Sequence, residues 1–308
     1  MNNTQSTINV VFATNDNFAQ YAGVAILSLL DNNKYSHFNI SLLCLDVCNE
    51  NIKKIKKLAL SYDCTFNVIV IDEETFDGCP DPGQYSKACY LRLLTPDLLP
   101  QVDKVLYLDC DLVVNGNIEE LYNTNLEGYA VAGVHDCTLS FDIIEPYIGY
   151  DFRRYGYINS GVLLLNLKYW REHHSKEALF EYLHTHKACL PDQDAINYVF
   201  HKHVLKLHPK YNCHVGFFAF PPLVIHEQKR FVKELWSRAK IIHFTGPAKS
   251  WTKECVNPYK KVFLRYKSMT PWKDTPPVCL NKSFFVQYKM IIFRRIKNFV
   301  ARLLSYTY

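Results

Sequence analysis

KVLYLDCDLVV, residues 104–114, is the stretch on which the reading of the whole chain turns. Lys104–Leu108 is a short apolar run of the kind that forms a buried strand, and it runs directly into Asp109. Two aspartates one residue apart thus sit at the carboxyl end of a strand. Ligands of open parallel α/β sheets bind beyond those ends. In an extended segment, residues i and i+2 point the same way. Asp109 and Asp111 are therefore predicted to converge on one hard cation, Mg²⁺ or Mn²⁺, which prefers carboxylate and phosphate oxygen. A solvated turn is the plain alternative, and the apolar Leu112, Val113 and Val114 that follow argue against it.

Outward from this stretch, strand-like and helix-like segments alternate. Asn9–Ala13, Phe38–Leu45 and Thr65–Ile71 read as strands, and Ala19–Leu30 and Asn49–Leu60 as helices between them. This alternation implies crossover connections and a mainly parallel sheet in an α/β protein. Farther along, Ser86–Leu94, Tyr169–His186 and Gln193–Phe200 have helical spacing. Tyr129–Val134, Tyr157–Asn166 and Ile241–Phe244 read as strands. Pro271–Pro277 is linker-like. Beyond it Phe285, Tyr288, Ile292, Ile296, Phe299 and Leu303 recur at helical spacing. The chain thus divides into a main domain, 1–270, and a linker with a helical tail, 271–308.

At 308 residues, 48% hydrophobic and 14% aromatic, the chain is long and apolar enough to bury a large core. Its net charge of +5 is a property of the tail. Residues 281–308 hold six basic residues and no acidic one, which leaves the first 280 at a net −1. No nucleic-acid partner is expected. The tail reads instead as an amphipathic helix for an anionic membrane surface, with a helix docked on the main domain as the alternative. The eleven cysteines are odd in number and contain no CxxC pair, so free thiols in a reducing cytoplasm are expected. The N-terminus has neither the charge nor the apolar run of a secretory signal. The expected location is cytoplasmic and peripheral on the inner face of the membrane.

Three further segments carry possible chemistry. In IHFTGPAKSW, residues 242–251, His243 offers a third metal ligand. Gly246 lets backbone approach a phosphate, and Lys249 offers a point charge to a diphosphate. In LPDQDAINYVF, residues 190–200, Asp192, Gln193 and Asp194 open a helix behind Pro191. They read equally as a helix cap with acidic first-turn residues, or as Asp192 on sugar hydroxyls and Gln193 near a reacting carbon. In FATNDNFAQYAGV, residues 12–24, Ala13, Asn15, Asn17 and Phe18 lie between a strand and a helix, where a nucleotide base sits in such folds. GxGxxG is missing there, which disfavours a dinucleotide. Ordinary Asn and Asp turn chemistry is the alternative.

The order VFATNDNFAQY, CYLRL, KVLYLDCDLVV, YINSGVLLLNLKYWR, DQDAIN, HFTGPAKSW and a basic tail resembles the retaining glycosyltransferases of family 8, particularly bacterial lipopolysaccharide and lipooligosaccharide galactosyl- and glucosyltransferases. The resemblance covers almost the whole chain. It implies a GT-A nucleotide-sugar-binding fold with a mixed, mainly parallel central sheet and a small helical C-terminal region. It implies transfer of galactose or glucose from a UDP-sugar donor to a lipid-linked oligosaccharide acceptor, with Mn²⁺ or Mg²⁺ as cofactor.

Residue by residue, the resemblance places Ala13, Asn15, Asn17 and Phe18 on uridine and ribose. Asn15 replaces an acidic residue of the family, and Phe18 replaces a Tyr, keeping its stacking face. Tyr85, in the divergent QYSKACYLRL, aligns with a base contact. Arg92 falls near the diphosphate and sugar, and Asp109, Asp111 and His243 on the metal. Cys110 falls within the donor-binding motif. Asp136, Asn159, Ser160, Asp192 and Gln193 fall around the sugar and reaction centre, with Gln193, Asp192 and Asp136 as the catalytic candidates. Gly246 and Lys249 fall on the diphosphate. Gln193 is a poor nucleophile, so retention implies front-side attack more readily than double displacement. Three rival readings stand beside this one: a silent nucleotide-sugar binder, a metal-dependent phosphohydrolase, and a self-glucosylating member of the same family.

Overall fold

The computed structural model describes residues 7–83, 85–136, 148–214, 217, 235, 237–255 and 257–280. Among the described residues, ten strands form two sheets: β1 Ile8–Asn15, β2 Phe38–Leu45, β3 Cys64–Ile71, β4 Lys104–Leu108, β5 Leu112–Val114, β6 Val131–His135, β7 Ile158–Asn166, β8 Val204–Lys206, β9 Cys213–His214 and β10 Ile241–His243. The large sheet has the order β3-β2-β1-β4-β7-β6-β8, and the small one β5-β10-β9. β3, β2, β1 and β4 run parallel. β7 is antiparallel to both neighbours, and β8 returns parallel to β6. The sheet is therefore mixed and mostly parallel, as the alternating segments predict.

β1 shows why an apolar run without alternation becomes a central strand. Val10 and Phe12 enter one core layer with α1 (Ala19–Asp31), while Val11 and Ala13 enter the opposite layer with Tyr90 and Trp170. Both faces are covered, so both must be apolar. α1 itself is buried almost all round, from Ala19 to Leu30. It lies against the amphipathic helix α2 (Asn49–Ala59), the small sheet and the helix Lys260–Lys267.

Three expectations change. Lys87–Leu94 is a 3₁₀ helix, started by the Ser86 side chain accepting from Ala88 N–H. The segment read as one helix over Tyr169–His186 is two, Leu167–Glu172 and Ser175–Thr185. They are separated at His174, which takes the left-handed conformation at φ 48°. Apolar spacing continues across the break, so periodicity does not reveal it. The linker-like Pro271–Pro277 stretch is packed onto the fold. Trp272 is buried, its ring lies over Gly23 of α1 where no side chain intervenes, and its indole N–H donates to Asn51 Oδ1 at 3.3 Å. Val278 then exchanges backbone hydrogen bonds with Trp251 and Lys253. The tail helix expected over Phe285–Leu303 lies outside the described residues. Among the described residues, no helix is long and apolar enough to cross a membrane.

Trp272 is the anchor of this strap. Trp272→Ala is expected to lower stability by about 3 kcal/mol, as for other large-to-small core changes, measured by urea denaturation. A loss under 1 kcal/mol would show the strap to be loosely held.

Candidate active site

The two carboxylates of Asp109-Cys110-Asp111 meet for a different reason from the one the sequence suggests. The motif is not extended. It is a bend where the chain leaves the large sheet at β4 and enters the small sheet at β5. Asp109 N–H still bonds Gly161 O of β7 at 2.9 Å, while Asp111 O accepts from Phe244 N–H beyond β10. Cys110, buried in the bend, points back to β1 and donates its S–H to Ala13 O at 3.2 Å. The apolar residues after the motif now have a role. β5 pairs antiparallel with β10 in the register Leu112↔His243, which sets His243 beside Asp111.

Asp109, Asp111 and His243 each present one ligand atom, all within 4.8 Å of one another. His243 Nε2 is 2.9 Å from Asp111 Oδ1 and 3.7 Å from Asp109 Oδ2. A chain of fixed polarity decides which nitrogen faces the carboxylates. Asn159 Nδ2 donates to Asp136 Oδ2, which as a carboxylate can only accept, and to Gln193 Oε1. Asn159 Oδ1 then accepts from Gly161 N–H and from Asn212 Nδ2. Asn212 Oδ1 is left to face His243 Nδ1 at 3.0 Å, so Nδ1 carries the proton. In a neutral ring this leaves the Nε2 lone pair aimed at two carboxylates, an arrangement that calls for a cation between them.

Two cations already brace the group. Arg92 is buried. It donates from Nη2 to Asp109 Oδ1 at 3.0 Å and from Nη1 to Ser160 O, and its Nε faces Asp192 Oδ2 at 3.2 Å. Its guanidinium lies over the Tyr107 ring, whose hydroxyl also donates to Asp109. Lys249 pairs with Asp111 Oδ2. Burial alone would push the Asp111 carboxyl up, but the Lys249 ammonium, joined by the His243 ring when both its nitrogens carry protons, outweighs it and holds the group well below the usual range. At Asp192 burial wins over Arg92, and the carboxyl is raised. Four carboxylates, Asp109, Asp111, Asp136 and Asp192, thus face two fixed cations, Arg92 and Lys249. A divalent cation would balance them. The donor set, oxygen and imidazole, suits Mn²⁺ or Mg²⁺.

Gly161 is a site residue that the sequence reading passed over. A Cβ there would lie 2.2 Å from His243 Cε1 and 2.6 Å from Asp109 Oδ2, so only glycine leaves room for the cluster. Asn212, which orients His243, was also missed, because nothing in its local sequence marks it. Thr245 buries a hydroxyl with no partner among the described residues, in the loop that carries Gly246, whose φ is +80°.

The remaining candidates divide. Gln193 Oε1 accepts from Ser160 N–H at 2.9 Å, from Asn159 Nδ2 and from Ser160 Oγ, while its Nε2 donates to Asp136 Oδ2. Ser160 Oγ also donates to Asp192 Oδ2. Asp136, Asn159, Ser160, Asp192 and Gln193 therefore form one buried network next to the Asp109–Asp111–His243 group. In Asp192-Gln193-Asp194 the capping contacts fall on one residue and the network contacts on the other two. Asp194 is the cap: its Oδ2 accepts from Cys189 and Leu190 N–H, and its Oδ1 from Tyr157. Asp192 and Gln193 face the site. At the other end, Asn15 spends its side chain capping the turn Asp16–Phe18 by accepting from Phe18 N–H, and Asn17 is exposed on that turn. Phe18, 36% exposed, packs edge-on against Tyr21 and Trp251. Tyr85 lies on an exposed bend before the 3₁₀ helix.

With this geometry in hand, the comparisons with known proteins agree. The family described as Glycosyl transferase family 8 matches residues 9–255, and the chain belongs to it. A lipopolysaccharide 1,2-glucosyltransferase of Escherichia coli (strain K12) is 29% identical over 286 residues, covering 89% of this chain and 82% of the relative. General stress protein A of Bacillus subtilis (strain 168) is 24% identical over 285 residues, covering 89% and 98%. The structure of the galactosyltransferase LgtC in complex with donor and acceptor sugar analogs matches with a TM-score of 0.77 at 25% identity, covering 86% of this chain and 96% of that one. The fold is GT-A-like and the protein is a glycosyltransferase, a hexosyltransferase of family 8.

One titration follows from the wall of this site. A bulge between Gly133 and His135 ends β6 and precedes Asp136. There His135 is buried, its Nδ1 facing Tyr157 N–H at 3.5 Å. Burial holds it down to about 4 from its ordinary 6.5, against the pull of Asp136. The unfolded chain therefore binds the extra proton between those values. Stability from the neutral ring is full above pH 6.5 and lost as pH falls through 4, by roughly 2–3 kcal/mol. His135→Asn is expected to flatten the pH dependence of the urea midpoint in that window. An unchanged slope would contradict the assignment.

Proposed function

We propose that the protein is a retaining hexosyltransferase that moves galactose or glucose from a UDP-sugar to a lipid-linked saccharide acceptor, with Mn²⁺ at Asp109, Asp111 and His243. The observation that carries this is the polarity chain ending at His243 Nε2, which leaves a lone pair and two carboxylates facing one point. Asp109, Asp111 and His243 would hold a divalent cation whose charge would offset that on the departing UDP. Mg²⁺ is the second choice, since an imidazole ligand favours Mn²⁺.

The chain's own residues would do the rest. Ala13, Asn15, Asn17 and Phe18 would hold the uridine, with Tyr85 at the base. Lys249 would turn from Asp111 to the diphosphate, helped by the backbone at Gly246 and the unpartnered hydroxyl of Thr245. Asp136 and Asp192 would orient the sugar hydroxyls, with Arg92 holding Asp109 and Asp192 apart and in place.

For retention we favour front-side attack. Gln193 Oε1 is already engaged by two N–H donors, from Ser160 and Asn159, which makes a weak nucleophile weaker still. The acceptor oxygen bonds to the anomeric carbon as the bond to the β-phosphate oxygen breaks. The acceptor's proton passes to that leaving phosphate. The relatives' names divide between glucosyl and galactosyl transfer on lipopolysaccharide, which supports the donor and acceptor class. The basic, aromatic-rich residues 281–308 would bring the enzyme to anionic membranes where lipid-linked acceptors lie.

Mn²⁺-stimulated UDP release is expected from UDP-galactose or UDP-glucose, with one preferred. Release from neither would remove the reading. Gln193→Ala should lower turnover by about tenfold through lost positioning, and the product should keep the α configuration by NMR. Complete loss in Gln193→Ala, together with a covalent sugar adduct in the wild type, would favour double displacement instead.

A further inference from the structure

A second cavity, of about 300 Å³, lies between α1, the helix Lys260–Lys267 and the Pro276–Pro277 strap. It shares no residue with the donor site proposed above. One wall is the stacked pair Tyr21 and Trp251, whose rings are 3.5 Å apart. Opposite, Lys260, Leu264 and Lys267 line it from one helix face, as their spacing of four and three residues requires. Lys253 joins them from the preceding loop.

The lysines are positioned but not neutralised by the lining. Lys260 Nζ donates to Thr252 O and Lys253 O, and Lys267 Nζ to Lys273 O and Thr275 O, all of them carbonyls. Among the described residues, no acid lines the cavity. Glu254 accepts from Leu280 N–H, and Asp274 acts on Lys267. Ser250, fully buried, also lines the cavity, and its Oγ has no hydrogen-bond partner among the described residues. Gln20 Oε1, in the same lining, has none either. A buried hydroxyl and a buried carbonyl without partners are costly in a packed fold, so both ask for a ligand. The hydroxyl needs an acceptor oxygen, the carbonyl needs a donor, and three ammonium groups need an anion.

We propose that this cavity binds a phosphate ester that also carries a free hydroxyl. The phosphate oxygens would take Lys253, Lys260, Lys267 and the Ser250 hydroxyl, the ligand's own hydroxyl would donate to Gln20 Oε1, and its carbon chain would rest on Leu264 and the Tyr21–Trp251 wall. Residues 281–308 carry six basic side chains and no acidic one, so a cavity lined by three lysines does not suit them as occupant. Two sources share the required chemistry: the phosphoglycerol headgroup of an anionic lipid, and a soluble polyol phosphate.

Calorimetry of the full chain with glycerol 3-phosphate tests the site, using Lys253→Glu and the uncharged change Ser250→Ala. Neither residue belongs to the donor site, so UDP release should stay within about twofold of wild type in both. Saturable binding is expected in the wild type. It should weaken at least about tenfold in Lys253→Glu and several-fold in Ser250→Ala. Co-sedimentation with phosphatidylglycerol against phosphatidylcholine vesicles separates the sources. A lipid headgroup predicts that Ser250→Ala weakens phosphatidylglycerol binding and that glycerol 3-phosphate competes with it. A soluble ligand predicts that only the calorimetric binding falls. No saturable binding in the wild type, or wild-type affinity in both variants, would overturn the proposal. Because no donor enters either assay, failure here is distinguishable from failure of the glycosyl-transfer reading.

Discussion

The structure is organised around excess negative charge held at one point. Asp109 and Asp111 from one bend, Asp136 after β6 and Asp192 from the helix Pro191–Phe200 are brought together from three segments, and among the described residues Arg92 and Lys249 oppose them. Such a cluster persists in a folded protein when its hydrogen bonds are satisfied and its geometry is fixed from outside. The large sheet supplies Asp109 through β4 and Asn159 through β7. The small sheet supplies Asp111 and His243 through the β5–β10 pairing. The helix Pro191–Phe200 closes the far wall with Asp192 and Gln193. Gly161, at the seam, keeps the space open.

This arrangement explains why two sheets are needed. A single parallel sheet would present Asp109 at a strand end but would have no adjoining strand to carry His243. The bend at Cys110 moves the chain from one sheet to the other within three residues, anchored by the Cys110 bond to Ala13 of β1. The first strand's end is thereby tied to the same point. The segment around Asn15 and Phe18 and the Asp109–Asp111–His243 group are parts of one rim.

Much of this was legible in the sequence, and the parts that were not share a cause. β2 and β4 could be bounded to the residue because their apolar positions end at polar turns. β5, β8 and β9, two or three residues each, are too short to show a period, so of the small sheet only its central strand β10 could be read, as Ile241–Phe244. The site residues with distinctive neighbours, such as Asp109, His243 and Lys249, could be picked out, whereas Asn212 and Gly161 gain their roles only from what lies across from them. The doubled reading of Asp192-Gln193-Asp194 could not be split by spacing, because the cap and the site-facing residues alternate within a single helical turn.

The claim that ties these observations together is that Asp109, Asp111 and His243 hold a divalent cation against the donor's diphosphate. Electron paramagnetic resonance of Mn²⁺ titrated into the full chain with UDP present tests it most directly. One bound Mn²⁺ per chain is expected in the wild type, with affinity reduced at least about a hundredfold when Asp111 is replaced by Asn, since a charged ligand is lost. Unchanged Mn²⁺ binding in Asp111→Asn would place the metal elsewhere and contradict the account.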